Sequence, residues 1–196
     1  MKINKKLIQK NLFDIENNFK ILNNEYYLNL IQDAALMIIN SIKKKNKIIF
    51  CGNGGSAGDS QHLAAELMGR YKIDRDPLPA IALTVDTSAI TAIGNDYGYE
   101  NIFSRQLRGI GAKGDVLVAI STSGNSQNVI KAIEAAKEMG ISVISFTGKT
   151  KSKMNTMSDI CICAPSDQTN HIQEMHITVG QLICGITENT LFGDKS

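Results

Sequence analysis

The sequence is poor in the features that mark membrane, secreted or nucleic-acid-binding proteins. No apolar run approaches the ~18 residues that a bilayer-spanning helix needs, so neither a membrane segment nor a membrane partner is expected. The first residues hold Lys and Asn rather than an apolar h-region, so no secretory signal is expected. The formal net charge is only +2, too small for an extended nucleic-acid footprint. The cluster Lys43, Lys44, Lys45 and Lys47 reads as the solvated end of a helix. Cys51, Cys161, Cys163 and Cys184 show no paired metal-ligand spacing. Cys161 and Cys163 alternate on an apparent strand, and are expected to be buried thiols of a cytoplasmic, reducing environment. Internal repeats and low-complexity linkers are also missing, so the 196 residues are expected to form one domain over 1–196. An apolar content of 43% suffices for a sizeable core.

What the chain does have is an apolar run, Ile48-Ile49-Phe50-Cys51, that stops at Gly52-Asn53-Gly54-Gly55-Ser56 and continues into helix formers from Ala57 to Met68. Strand, Gly-rich loop and helix together offer backbone N–H groups and a helix N-terminus to an anion. Two better-known loops fit the sequence poorly. A nucleotide P-loop needs Gly-Lys-Ser/Thr, and this loop has no Lys; after Gly52 and Gly54, the third glycine of a dinucleotide fingerprint falls one place late, at Gly58. A bare Gly-rich turn without a ligand remains the alternative. On the helix that follows, His62 and Glu66 stand four apart and share a face. Such a pair can hold a divalent metal or serve as an acid/base couple, or be a plain exposed pair.

Residues 3–24 (Ile3, Leu7, Leu12, Ile15, Phe19, Leu22) and 26–43 read as two amphipathic helices, more than one sheet face requires, and the first suits an oligomer interface or its own domain equally. Strands are expected at 79–84, 115–120, 140–146 and 160–164, with helices over 88–93, 102–110 and from 129 onward. Gly94 to Gly98 reads as a polar turn, and a last helix over 168–191 has its apolar stripe at Ile172, Met175, Val179, Leu182, Ile183, Ile186 and Leu191. Gln173 and His176 share one face of it. The third strand runs into Ser121-Thr122-Ser123-Gly124-Asn125-Ser126, with Ser126 an expected N-cap. Four hydroxyls and a glycine at a helix N-terminus suit a phosphate monoester, with a simple capped turn as the alternative. Alternating strands and helices imply an α/β fold with a parallel sheet, and both polar loops lie at strand carboxyl ends, where such sheets bind ligands.

The segments CGNGGSAGDSQHLAAELMGRY, AIGNDYGYENIFSRQ, GDVLVAISTSGNSQNVIKAI and IQEMHI resemble the SIS (sugar isomerase) family, and within it the phosphoheptose isomerases, over nearly the whole chain. The resemblance implies a three-layer αβα, flavodoxin-like domain with a five-stranded parallel sheet. Its extra N-terminal helices, residues 1–45, would lie in the interface of a homotetramer whose active sites fall between subunits. It implies conversion of sedoheptulose 7-phosphate to D-glycero-D-manno-heptose 7-phosphate, a precursor of bacterial surface glycans. It also implies substrate contacts at Asn53, Gly54, Gly55, Glu66, Asn95, Asp96, Ser121, Thr122, Ser123, Ser126 and Gln173, zinc ligands at His62, Glu66 and Gln173, and Glu66 as the proton-transfer carboxylate. One position departs. Where the family has a histidine that is both zinc ligand and acid/base, this chain has Gln181. An amide cannot shuttle a proton and is a poor zinc ligand. His176 is ~140° away around the helix axis from that position; His171 is the other candidate to reach the site. The departure raises a second relative, the non-catalytic SIS proteins that associate with the replication initiator or sense a sugar phosphate. They too lack the histidine, and the ending ENTLF looks like theirs. They also lack the helix carboxylate, which Glu66 supplies here.

Overall fold

The computed structural model describes residues 4–193; Ile3, counted in the first apolar stripe, lies outside them. Helices α1 (Lys5–Leu22) and α2 (Glu25–Lys43) precede five strands: β1 (Ile48–Gly52), β2 (Ala80–Ala82), β3 (Val116–Ile120), β4 (Ser142–Gly148) and β5 (Ile160–Ala164). The strands are all parallel and lie in the order β2-β1-β3-β4-β5, the flavodoxin-like arrangement whose strand order switches between β1 and β3. Connecting and flanking them are α3 (Gly55–Met68), α4 (Thr87–Tyr97), α5 (Ile102–Ile110), α6 (Gln127–Glu138), α7 (Lys153–Met157) and α8 (Thr169–Phe192).

Side-chain alternation on the strands builds the three layers. Ile48, Phe50, Val118, Ile120, Ile144, Phe146 and Ile162 pack with α2, α3 and α8 on one face. Ile49, Cys51, Leu117, Ala119 and Val143 pack with α5, α6 and Met154 of α7 on the other. Because both faces are covered, β1 and β3 are buried along their full length, which is why they read as unbroken apolar runs. Each such Ile, Leu or Phe contributes about 1.5–3 kcal/mol by leaving water. Among the described residues no helix is long and apolar enough to cross a membrane.

The outermost helix behaves differently from the rest. Within α1 only Leu22 is buried, while Leu7, Leu12 and Phe13 are 59%, 61% and 60% exposed.

Several expected boundaries move. The stretch Gly94–Tyr97 is the end of α4 and not a turn. Asp86 accepts from Ala89 N–H (2.9 Å) to start that helix, and the stop is Gly98, whose φ of 87° leaves the helical region. Strand β4 runs two residues further than expected, to Gly148, because β5 pairs along it up to Gly148↔Ala164. The short α7 has no clear signal in the sequence. On α8, Leu182 and Ile186 do not join the buried stripe and are 49% and 40% exposed. His176 does not share Gln173's polar face: it is buried against Phe146, with Nε2 2.9 Å from the Thr147 carbonyl, and burial lowers its pKa to about 4. His171 is buried as well, with Nδ1 toward Asn18 of α1 (3.5 Å), so it does not reach the strand ends. Cys161 and Cys163 are half-buried, whereas Cys51 and Cys184 are buried.

Candidate active site

The two polar loops start side by side because Gly52 and Ile120 are partners in the β1–β3 register. Their union is then fixed by a side chain that the sequence did not single out. Asn128, in the first turn of α6 and 3% exposed, exchanges two amide hydrogen bonds with Asn53. Asn53 Nδ2 donates to Asn128 Oδ1 and Asn128 Nδ2 donates to Asn53 Oδ1, both at 2.8 Å. Tyr99 adds a hydroxyl bond to Asn53 Oδ1 at 3.2 Å. The buried Asn128 amide and the half-buried Asn53 amide satisfy each other and hold the loops in one relative position.

In the serine loop, Ser121 Oγ lies 2.9 Å from Ser126 Oγ and 3.3 Å from Ser123 Oγ. Ser126 does precede α6, but its hydroxyl takes part in this cluster instead of capping the helix. Ser126 thus leaves α6 without an N-cap side chain, although Val129 N donates to Asn128 Oδ1 (3.0 Å), and α3 likewise starts without a side-chain cap after Gly54. Helix N-termini beside convergent hydroxyls are an arrangement that can take up an anion. Thr122 and Ser123 line an open cleft of about 350 Å³ together with Asn125, Gly148, Thr150 and Ser166.

The third wall is the seam between α3 and α8. Gly180 allows it: a Cβ there would lie 2.5 Å from Leu63 Cδ1, so only glycine lets the helices meet this closely. Gln173 lies over Gly55 in the same manner, 2.6 Å from where a Cβ would be. Further along, His62 Nε2 lies 3.0 Å from Glu66 Oε1, and Gln181 Nε2 lies 3.3 Å from His62 Nε2. Gln181 is thus the α8 side chain that touches the His62–Glu66 pair, and Gln173 sits about two turns earlier along α3. The side chain of His62 is 50% exposed and that of Glu66 18%. The carboxyl end of α3 is tied down by Arg75, which donates to Glu66 O (3.0 Å), Leu67 O (2.8 Å) and Glu188 Oε1 (3.1 Å). Glu188 in turn accepts N–H bonds from Tyr71, Lys72 and Ile73.

Asp59 was missed as well. It stands one turn before His62, and its Oδ2 is buried without a hydrogen-bond partner. Burial raises its pKa to about 6 against the opposing pull of His62. Its i, i+3 and i, i+7 relation to His62 and Glu66 was the available signal. Asn95 and Asp96, by contrast, sit exposed at the end of α4 and bond to each other (2.8 Å); among the described residues they hydrogen-bond to none of the loop residues.

Among the described residues no three His, Cys, Asp or Glu side chains cluster as a metal cage. The donors at hand, one imidazole, one carboxylate 3.0 Å from it and nearby amides, fit a divalent cation in kind, with fewer strong zinc ligands than the family's own set.

Residues 24–148 match the SIS domain family. The chain is 52% identical over 186 residues to the phosphoheptose isomerase of Akkermansia muciniphila, covering 95% of this chain and 97% of that one. Among solved structures, phosphoheptose isomerase GmhA from Neisseria gonorrhoeae is similar at TM-score 0.85 and 40% identity, covering 94% of this chain and 98% of that one. A phosphoheptose isomerase from Francisella tularensis is similar at TM-score 0.92 and 32% identity, covering 96% and 100%.

Proposed function

Since this chain belongs to the phosphoheptose isomerases of the SIS-domain family, we propose that it is an enzyme converting sedoheptulose 7-phosphate to D-glycero-D-manno-heptose 7-phosphate in the cytoplasm, for surface-glycan precursors. The observation that carries this reading is the Asn53–Asn128 amide pair. It supports a single crevice in which the serine loop holds the phosphate while the α3 face meets the other end of the sugar.

In this reading Ser121, Thr122, Ser123 and Ser126 donate to the phosphate oxygens, aided by the α6 N-terminus. Asn53, Gly54, Gly55 and Gln173 orient the sugar, and Asn95 and Asp96 reach it from α4. Holding the phosphate converts proton transfer into an intramolecular event. Glu66 removes the proton from the carbon beside the carbonyl, an enediol forms, and the same carboxyl returns the proton to the neighbouring carbon. Gln181 can orient a hydroxyl but cannot exchange a proton, so the accompanying shift between the two oxygens passes through water. His62 and Glu66 would hold a zinc ion, which when bound supplies Lewis-acid polarisation of the sugar oxygens; Gln173, expected as a third ligand, lies over Gly55 about two turns along α3 and would join them only by moving toward the pair. The exposed apolar face of α1 supports a homotetramer in which residues 1–45 pack against other copies.

The non-catalytic alternative is not favoured: the relatives near 50% identity are isomerases by name, and Glu66 is in place beside His62. An assay of the purified chain with sedoheptulose 7-phosphate, with and without zinc and beside Gln181→His, tests the choice. Turnover by the natural chain, raised further by zinc, is expected. Turnover that emerges only in Gln181→His would return the chain to the non-catalytic class.

A further inference from the structure

We propose that Lys149 is a phosphate-binding residue at the rim of the serine loop, held by Asp167 in the free protein and turned to the phosphate monoester when one enters. The inference rests on the phosphate reading of that loop and adds the cation that the loop lacks. Residues 121–126 carry four hydroxyls, an amide and a glycine but no charged side chain. A phosphate monoester brings about two negative charges at neutral pH. Hydroxyls and the N-terminus of α6 offer it hydrogen bonds and only about half a unit of opposing charge. The segment that leaves β4 supplies the missing sign: Gly148-Lys149-Thr150-Lys151-Ser152-Lys153 holds three lysines and no carboxylate.

This segment is pressed against the serine loop. Gly148 N donates to Thr122 O at 3.0 Å, and a Cβ on Gly148 would lie 2.7 Å from that same oxygen. Lys149 follows directly, its N–H directed to Ser166 O at 3.4 Å. Its ammonium pairs with Asp167 Oδ2, while Thr150 Oγ1 donates to Asp167 Oδ1 at 3.4 Å. Asp167 lines the open cleft of about 350 Å³ together with Thr122, Ser123 and Ser166. The ion pair therefore places the Lys149 charge at the rim of the cleft that the serine loop faces. Lys153, by contrast, meets the loop through its backbone, N donating to Asn125 Oδ1 at 3.2 Å.

The pair is one that can open. Its two side chains are 55% and 58% exposed, and an ion pair so open to water is weakly held. A lysine carries a compact charge with three donors on a flexible four-carbon stem. It can therefore leave a carboxylate for a phosphate across the cleft with no movement of the backbone, and the doubly charged phosphate attracts it more strongly than one carboxylate does. Asp167 keeps its bond from Thr150 but competes for the ammonium, so it holds the affinity down. The cradle of hydroxyls stays fixed, and the lysine at its rim is the part that moves.

Titration of the purified full chain with inorganic phosphate, beside KM for sedoheptulose 7-phosphate, tests this. Lys149→Met should bind phosphate about tenfold more weakly, with KM raised by a like factor and a shallower dependence on salt than the natural chain shows. Lys149→Arg should restore most of the affinity. Asp167→Asn should bind several-fold more tightly than the natural chain. The double variant Lys149→Met, Asp167→Asn should match Lys149→Met alone, since the aspartate acts through the lysine. A pair that only braces the loop would weaken binding in both single variants, and that result overturns the proposal, as does unchanged affinity in Lys149→Met. A gain from Asp167→Asn that persists beside Lys149→Met is direct repulsion and overturns the hold of Asp167 on the lysine. The phosphate reading fails separately: a natural chain that binds no phosphate, or binds it equally well after Ser121→Ala with Ser126→Ala, removes the cradle and Lys149's role in it together. Binding that needs those serines and ignores Lys149 removes the proposal alone.

Discussion

In the proposed function the serine loop and the face of α3 are the two halves of one crevice, and they differ in how firmly their own surroundings hold them. The serine loop is held from several sides: Ser121 bridges to Ser126 at 2.9 Å, Gly148 N donates to Thr122 O at 3.0 Å, and α7 braces Gly124 and Asn125. The face of α3 is open. His62 is half exposed, Glu66 has His62 as its side-chain partner, and an oxygen of Asp59 is buried without a partner. A phosphate is the same group in every substrate molecule and can be met by a rigid cradle. Proton transfer needs a side chain free to change its bonds, and in the proposed homotetramer this open half is the one another copy would cover.

Changing the open half should have the largest effect. Glu66→Gln keeps the shape and removes the base, so kcat is expected to fall about 10³–10⁴-fold while phosphate binding persists. On the rigid half, Ser121→Ala combined with Ser126→Ala removes two hydrogen bonds to a charged group at about 1.5 kcal/mol each. Steady-state kinetics should then show kcat/KM down about 10²-fold, mostly through KM. If kcat falls instead and KM is unmoved, the two halves do not divide their roles as described.

Asn128→Ala acts on the joint between them. It leaves Asn53 Nδ2 without its partner at a cost of about 1–3 kcal/mol, and at roughly 2–4 °C per kcal/mol thermal melting should drop by several degrees, with KM rising about tenfold. The smallest effect is expected at Asp59. Its folded pKa of about 6 lies above the ordinary 3.8, so folding favours the protonated form. That contribution is full below about pH 4 and is lost as pH rises through about 6. In metal-free buffer Asp59→Asn should therefore melt about 2 °C above the natural chain at pH 8 and no higher at pH 4. A constant offset at both pH values would contradict this.

The contrast also explains what could be read from the sequence. The loops were legible because glycines and serines punctuate apolar runs, and β1 and β3 because burial on both faces leaves no polar residue in them. His62 and Glu66 announced themselves by helical spacing. Asn128 did not, since one Asn in a first helical turn looks like any other until the register of β1 on β3 brings Asn53 opposite it. The Gln181–His62 contact depends on Gly180 letting α8 lie on Leu63, a tertiary fact with no local signature. His171 and His176 depart from the sequence expectation for a related reason: both turn inward, the first against α1 and the second against β4.

The account stands or falls on whether Glu66 moves the carbon-bound proton of an anchored sugar phosphate. Reaction in deuterium oxide, followed by NMR of recovered sugar phosphate, measures that step directly. The natural chain should place solvent deuterium on the carbon next to the carbonyl, and Glu66→Gln should leave that carbon protonated while still binding inorganic phosphate. Exchange by Glu66→Gln at the natural rate would contradict the account.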